Sequence, residues 1–190
     1  MQEILERLLA PVDKNAAETA KHLSDSFGDI YNLAAATDDV ILSAVDNKMS
    51  TLVYIRLAII LAARRITDNF KLGRTHTNEE ICEYFKALFI TSAVETLYVM
   101  LTDKDGKVIA VDYAGEGTVS FSGLLPRKLL DIASRRGASG VIIAHNHPRG
   151  YATPSDDDIR STEHLGKVLS AAGVKLINHY IVAGPECMIV

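Results

Sequence analysis

A chain of 190 residues that is 48% apolar has room for one good core and a small accessory region. Its net charge of −4 gives no overall basic field for nucleic acid, and the first 75 residues, with nine Lys/Arg against ten Asp/Glu, hide no basic tail. Cys82 and Cys187 are far apart and fit neither a CxxC pair nor a disulfide framework, so a reducing cytoplasm is the simpler inference.

The first residues lack a basic segment followed by an apolar core, so no signal peptide is expected. The longest apolar run, 57–63, is too short to span a membrane. Residues 3–35 read as short helices, with one stripe of Ile4, Leu5 and Leu8 and another of Ala17, Ala20, Leu23 and Phe27, and Gly28 as a stop. Asp38 and Asp39 open another short helix through Val40, Leu42 and Val45, and a long helix follows over 49–69. Residues 1–74 therefore form a small all-helical domain, closed by the polar link 71–74.

Thr77, with Glu80 three residues on, caps a helix whose apolar face is Ile81, Tyr84, Phe85 and Leu88. From Glu95 the period changes to two, with Leu97, Val99 and Leu101 alternating against Thr96, Tyr98 and Met100. Asp105 and Gly106 signal a hairpin, with a returning strand over 108–113. Pro126 suits the first position of a helix that runs to Arg135 and Arg136 and stops at Gly137. A buried strand over 140–144, a helix over 155–172 and a strand over 174–182 complete the chain. Strands and helices alternate, so residues 75–190 should form an α/β domain with a mixed sheet and flanking helices.

The chemistry gathers behind the strand at 140–144, in HNHPRG over 145–150. Side chains two apart on a strand share a face, so His145 and His147 aim at one point past the strand's end. Ser155 is a good N-cap, and Asp158 takes the acidic position of a capping box, in a first turn that can face back toward the histidines. Alone, a His-x-His pair and a capping box are each weak signals. Together they supply three ligands and leave a fourth position for water, the pattern of a catalytic zinc. Asn146, between the ligands, should point away from the metal.

His-x-His, seven residues, then Ser-x-x-Asp resembles the signature of the JAMM (MPN/JAB) zinc hydrolases, and the HNHPxG…PSxxD wording is similar to the RadC-like branch. The resemblance covers roughly 78–184 strongly and the helical region weakly. It implies a cytidine-deaminase-like JAB/MPN fold, a Zn2+ held by His145, His147 and Asp158, and hydrolysis of an amide or isopeptide bond in a peptide or protein. It also implies that Ser155 polarises the carbonyl or steadies the oxyanion.

Hydrolysis needs a base outside the ligand loop, and Glu95 and Glu116 are the candidates. Glu95 has apolar neighbours, so partial burial would raise its pKa, whereas Glu116 sits between two glycines in an exposed turn. Resemblance to the glutamate-led first strand of RadC-like domains favours Glu95. The helical part resembles that of RadC-like proteins, where a helix-hairpin-helix-like element presents backbone amides to a DNA phosphate through glycines. Here the stretch 46–50 has no glycine, which favours packing or homodimerisation over DNA binding. Two other readings stand beside the hydrolase: a DNA-repair-associated protein, and a non-catalytic JAMM-fold interaction scaffold. His179 matches a histidine of the family's late strand, His22 and His76 read as surface residues, and Arg127 and Arg149 carry charges to which no role is assigned.

Overall fold

A computed structural model describes residues 1–116, 124–148 and 150–190. Arg149 and the glycine-led segment 117–120 lie outside the described residues. The chain divides into two compact units, Met1–Thr67 and Asp68–Val190.

The first unit is built from α1 (Gln2–Leu9), α2 (Ala16–Phe27), α3 (Ile30–Ala35), α4 (Asp38–Ala44) and α5 (Met49–Asn69), the last of which ends in the second unit. Leu5, Leu9, Ala20, Leu23, Leu33, Ile41, Leu52 and Ile55 are buried at its centre. Asp13 is buried with them and is satisfied by the Thr19 hydroxyl at 2.7 Å, the Asn15 amide at 2.9 Å and Lys48 Nζ at 3.2 Å. Burial pushes this carboxyl up, but those hydrogen bonds and the Lys48 charge together hold it below its ordinary range. The turn from α4 into α5 does reach left-handed backbone without glycine, through Asp46 (φ 53°) and Asn47 (φ 59°). Asp and Asn tolerate that region better than other side chains.

The second unit is a five-stranded sheet in the order β2-β1-β3-β4-β5, from β1 (Thr96–Thr102), β2 (Val108–Glu116), β3 (Gly140–Asn146), β4 (Lys175–Ala183) and β5 (Glu186–Ile189). β3 and β4 are parallel and the other pairs antiparallel, which makes the sheet mixed as expected. α7 (Leu124–Arg136) and α8 (Asp156–Ala171) pack Leu129, Ile132, Leu165 and Leu169 onto Leu97, Val99, Leu101, Val141 and Ile143. α6 (Asn78–Phe89) packs Ile81, Phe85 and Phe89 onto Met100, Ile142, Ala144 and Tyr180. Odd and even residues of β1 and β3 thus face different helices, as a period of two requires.

Several local readings change. β5 was not anticipated: it is four residues long and too short to show a pattern. β2 runs on to Glu116, so that residue ends a strand instead of occupying a free turn. α7 starts two residues before Pro126, which still lies in the first turn, where its missing N–H costs nothing. His76 is enclosed, stacked on Phe70 at 3.8 Å, with Nε2 2.7 Å from the Lys71 carbonyl. The two cysteines are joined: Cys82 on α6 and Cys187 on β5 form a disulfide with Cα atoms 5.9 Å apart. A separation of 105 residues hid the pair, and the argument for a reducing compartment from unpaired thiols loses its basis. Among the described residues, no helix is long and apolar enough to cross a membrane.

Candidate metal centre

β3 and β4 run parallel and are joined through α8, so the carboxyl end of β3 and the N-terminus of α8 meet at one edge of the sheet. Ligand sites form in such crevices. His145 is the penultimate residue of β3 and His147 follows its last. Ser155 caps α8 with both halves of a capping box: Asp158 N–H donates to Ser155 Oγ at 3.1 Å, and Ser155 N–H donates to Asp158 Oδ2 at 2.8 Å. This cap turns the Asp158 carboxylate inward, where it is 5% exposed although aspartate is rarely buried.

The three side chains converge. His145 Nε2 lies 3.0 Å from His147 Nε2 and 3.3 Å from Asp158 Oδ1, and His147 Nε2 lies 3.7 Å from Asp158 Oδ2. Four donors at about 2.05 Å from a tetrahedral ion are about 3.3 Å from one another, so these spacings fit. The proton inventory fits as well. His147 Nδ1 is 2.8 Å from the Tyr151 carbonyl, which only accepts, so Nδ1 carries a hydrogen and the neutral form of the ring presents its lone pair at Nε2. Among the described residues, this is the one cluster of three His, Cys, Asp or Glu side chains close enough to hold a metal ion.

Burial sets the charge states. It pushes His145 down to about 4, outweighing the Asp158 charge, with His147 adding to the fall. It pushes His179 down to about 3, with His145 beside it. Asp158 is raised by burial but lowered more by the Ser155 hydroxyl and amide and by the two histidines, so it stays a carboxylate. Neutral imidazoles and an ionised carboxylate are the forms that bind metal.

Glu95 immediately precedes β1. Leu97 pairs with His145 in the antiparallel register, and two residues further along that register Glu95 comes opposite His147. Its carboxyl is half-buried and raised, chiefly by burial and also by the Asp158 charge, while His147 opposes. Glu116 answers to Tyr98 and Tyr113 instead, whose hydroxyls it raises after burial does. Of the two candidate glutamates, Glu95 is the one coupled to the cluster.

Asn146 turns away from the His145, His147 and Asp158 cluster and grips the segment carrying Glu95. Its Oδ1 accepts from Thr96 N–H at 2.8 Å, and its Nδ2 donates to the Val94 and Ser92 carbonyls at 3.2 and 3.4 Å. Ser155 Oγ is also 2.6 Å from Asp158 Oδ2, so the hydroxyl donates its hydrogen bond to the carboxylate. His179, on β4, meets His145 Nδ1 at 2.8 Å, and Thr162, on α8, meets His179 Nδ1 at 2.6 Å. The sequence reading passed over Thr162. Its signal was position, one helical turn beyond Asp158 on the same face. Arg127 is exposed on α7, and His22 and His164 are exposed as well.

Comparisons with known proteins agree with this layout. A family model described as the RadC-like JAB domain matches residues 75–189. A UPF0758 protein of Photobacterium profundum is 30% identical over 90% of this chain and 77% of its own length. UPF0758 proteins of Cellvibrio japonicus and Shewanella woodyi are 28% and 29% identical, covering 92% and 90% of this chain and 79% and 77% of their own lengths.

Proposed function

Because the chain belongs to the RadC-like JAB-domain family, we propose that it is a zinc-dependent hydrolase that cleaves an amide or isopeptide bond in a peptide or protein. The observation that carries this reading is the convergence of two imidazole Nε2 atoms and the two oxygens of the Asp158 carboxylate at 3.0–3.7 Å, beside a half-buried glutamate. His145, His147 and Asp158 would hold the ion. A zinc bound there acidifies water and polarises a carbonyl at neutral pH.

The chain's own residues supply the rest. Glu95 takes a proton from the attacking water as its oxygen adds to the carbonyl carbon, and gives that proton to the nitrogen as the C–N bond breaks. The products are a carboxylic acid and an amine. A carboxyl raised by burial is better matched to this task near neutral pH than an ordinary one. Ser155 is assigned to the developing oxyanion, through the hydroxyl proton it gives to Asp158 Oδ2 in this arrangement. Asn146 keeps Glu95 in place by fixing the backbone on both sides of it.

The test combines metal content with turnover. The purified chain should hold about one zinc per molecule, and His147→Ala should lose it. Against a library of peptide and isopeptide substrates, Glu95→Gln should keep the metal and lose about 10²–10⁴-fold in rate. A chain without affinity for divalent ions, or a Glu95→Gln variant as active as the parent, overturns the proposal.

A further inference from the structure

The two ligand rings are held from behind in different ways. His147 gives its Nδ1 hydrogen to a carbonyl, which can do nothing but accept. His145 Nδ1 instead meets another imidazole, Nε2 of His179, at 2.8 Å. A nitrogen–nitrogen hydrogen bond contains one hydrogen, and either ring is able to supply it. If His179 supplies it, the hydrogen of a neutral His145 sits on Nε2. It then points into the cluster and occupies the lone pair that a cation needs. Both rings are almost fully enclosed, His145 at 2% and His179 at 1% exposure, so solvent does not decide between the two orders.

Thr162 does. Its Oγ1 lies 2.6 Å from the backbone carbonyl of Asp158 and 2.6 Å from His179 Nδ1. The hydroxyl has one hydrogen, and the carbonyl has none to offer, so that hydrogen goes to the carbonyl. Thr162 Oγ1 must then accept from His179, which puts the His179 hydrogen on Nδ1 and leaves Nε2 bare. His179 Nε2 in turn accepts from His145 Nδ1, and His145 Nε2 is left with its lone pair facing His147 and Asp158.

We infer that Thr162 and His179 are positioning residues that set the direction of this hydrogen-bond chain, holding His145 in its Nδ1–H tautomer so that Nε2 faces the metal site. The chain begins at the main-chain carbonyl of one ligand, Asp158, and ends on the ring of another, His145. The first turn of α8 therefore supplies one ligand directly and readies a second. A threonine bonded to the carbonyl four residues back is common in helices, and a buried strand histidine is often only packing. Placed in series behind a ligand ring, they acquire a direction that neither has alone. Outer partners of this kind fix the tautomer and orientation of ligating histidines, and losing one costs about 10–100-fold in metal affinity or activity.

The inference rests on the metal reading proposed above, and its test includes a readout taken without metal. The chain is labelled with 15N-histidine, stripped with a chelator, and studied at neutral pH by long-range 1H–15N correlation. In the wild-type protein His145 should show a protonated Nδ1 and a bare Nε2. Thr162→Val removes the hydroxyl at nearly constant volume, and with it the acceptor that holds the His179 hydrogen on Nδ1. His145 should then populate the Nε2–H form, and zinc affinity, measured by competition with a chromophoric chelator, should fall about 10–100-fold. Thr162→Ser keeps the hydroxyl and should restore both the spectrum and the affinity. A wild-type His145 carrying its hydrogen on Nε2 overturns the inference. So does a Thr162→Val protein with unchanged tautomer, whether or not its affinity falls, because a loss of affinity alone marks a merely structural role. The wild-type spectrum decides the proton order even if Thr162→Val does not fold. A chain with His145 in the Nδ1–H form that takes up no zinc supports the proton order and refutes the metal reading.

Discussion

Asn146→Ala tests whether the segment carrying Glu95 is held by one side chain. The residue is 4% exposed, and its amide makes one hydrogen bond of 2.8 Å to the Thr96 N–H and two longer ones, 3.2 and 3.4 Å, to the Val94 and Ser92 carbonyls. The two shorter bonds contribute about 1 kcal/mol each, and a buried N–H left without a partner costs about 1–3 kcal/mol. Thr96 is itself buried, so water does not easily replace the lost acceptor. The expected loss is about 3 kcal/mol, or about 6–12 °C in Tm for a chain of this size. Urea denaturation should show that loss, and hydrogen exchange should show the Thr96 amide opening faster than its neighbours in β1. Asn146→Asp keeps an acceptor for Thr96 but turns an oxygen toward the Val94 carbonyl, so it should be no milder than alanine. An alanine variant within about 0.5 kcal/mol of the parent, with the Thr96 amide still protected, would refute the reasoning.

Two further substitutions probe the frame around the site. Ser155→Ala removes the cap of α8 and the hydroxyl bonded to Asp158 Oδ2, so unfolding free energy should fall by about 1–2 kcal/mol, read by urea denaturation, with zinc affinity falling alongside. Gly140→Ala would place a Cβ 2.6 Å from Thr102 Oγ1 and 2.8 Å from Ile177 Cδ1 where β3 begins, and the resulting overpacking should lower stability by about 1–3 kcal/mol in the same assay.

The cluster of His145, His147 and Asp158 was legible because its geometry is local. A strand period of two puts His145 and His147 together, and a capping box fixes where Asp158 points, so both rules act within a few residues. Glu95 was harder. Its place beside His147 depends on the β1–β3 register, 97 against 145, and no single segment specifies that number. Asn146 was readable only as a residue that points away from the ligands, since its partners lie 50 or more positions earlier. The order β2-β1-β3-β4-β5 was likewise invisible, although alternating strands and helices implied the mixed sheet. His179 and Thr162 were obscured for a further reason. Each has an ordinary structural reading, and only their sequence of contacts, carbonyl to hydroxyl to ring to ring, shows a direction.

The cysteines mark where separation along the chain misleads most. Cys82 on α6 and Cys187 on β5 are 105 residues apart, yet β5 pairs with β4, whose Tyr180 packs against Phe85 of α6, and the two sulfurs meet there. The Cα separation of 5.9 Å is within the usual span of a disulfide. Closing a loop of that length removes conformational freedom from the unfolded chain worth up to about 4–5 kcal/mol, with native-state effects usually reducing the benefit. β5 has only four residues and one neighbouring strand, so it has little else to hold it. Reduction with dithiothreitol should therefore lower the urea midpoint, and hydrogen exchange should rise first in β5 while β1 and β3 stay protected. Glu186 of β5 also reaches the Ala152 amide at 3.4 Å, next to the Tyr151 carbonyl that orients His147. Loosening β5 should for that reason weaken zinc binding modestly, in a Cys187→Ala variant as in the reduced protein. Thiol titration of the unfolded, unreduced chain settles the premise: no free thiol is expected, and two free thiols would show that Cys82 and Cys187 are not joined.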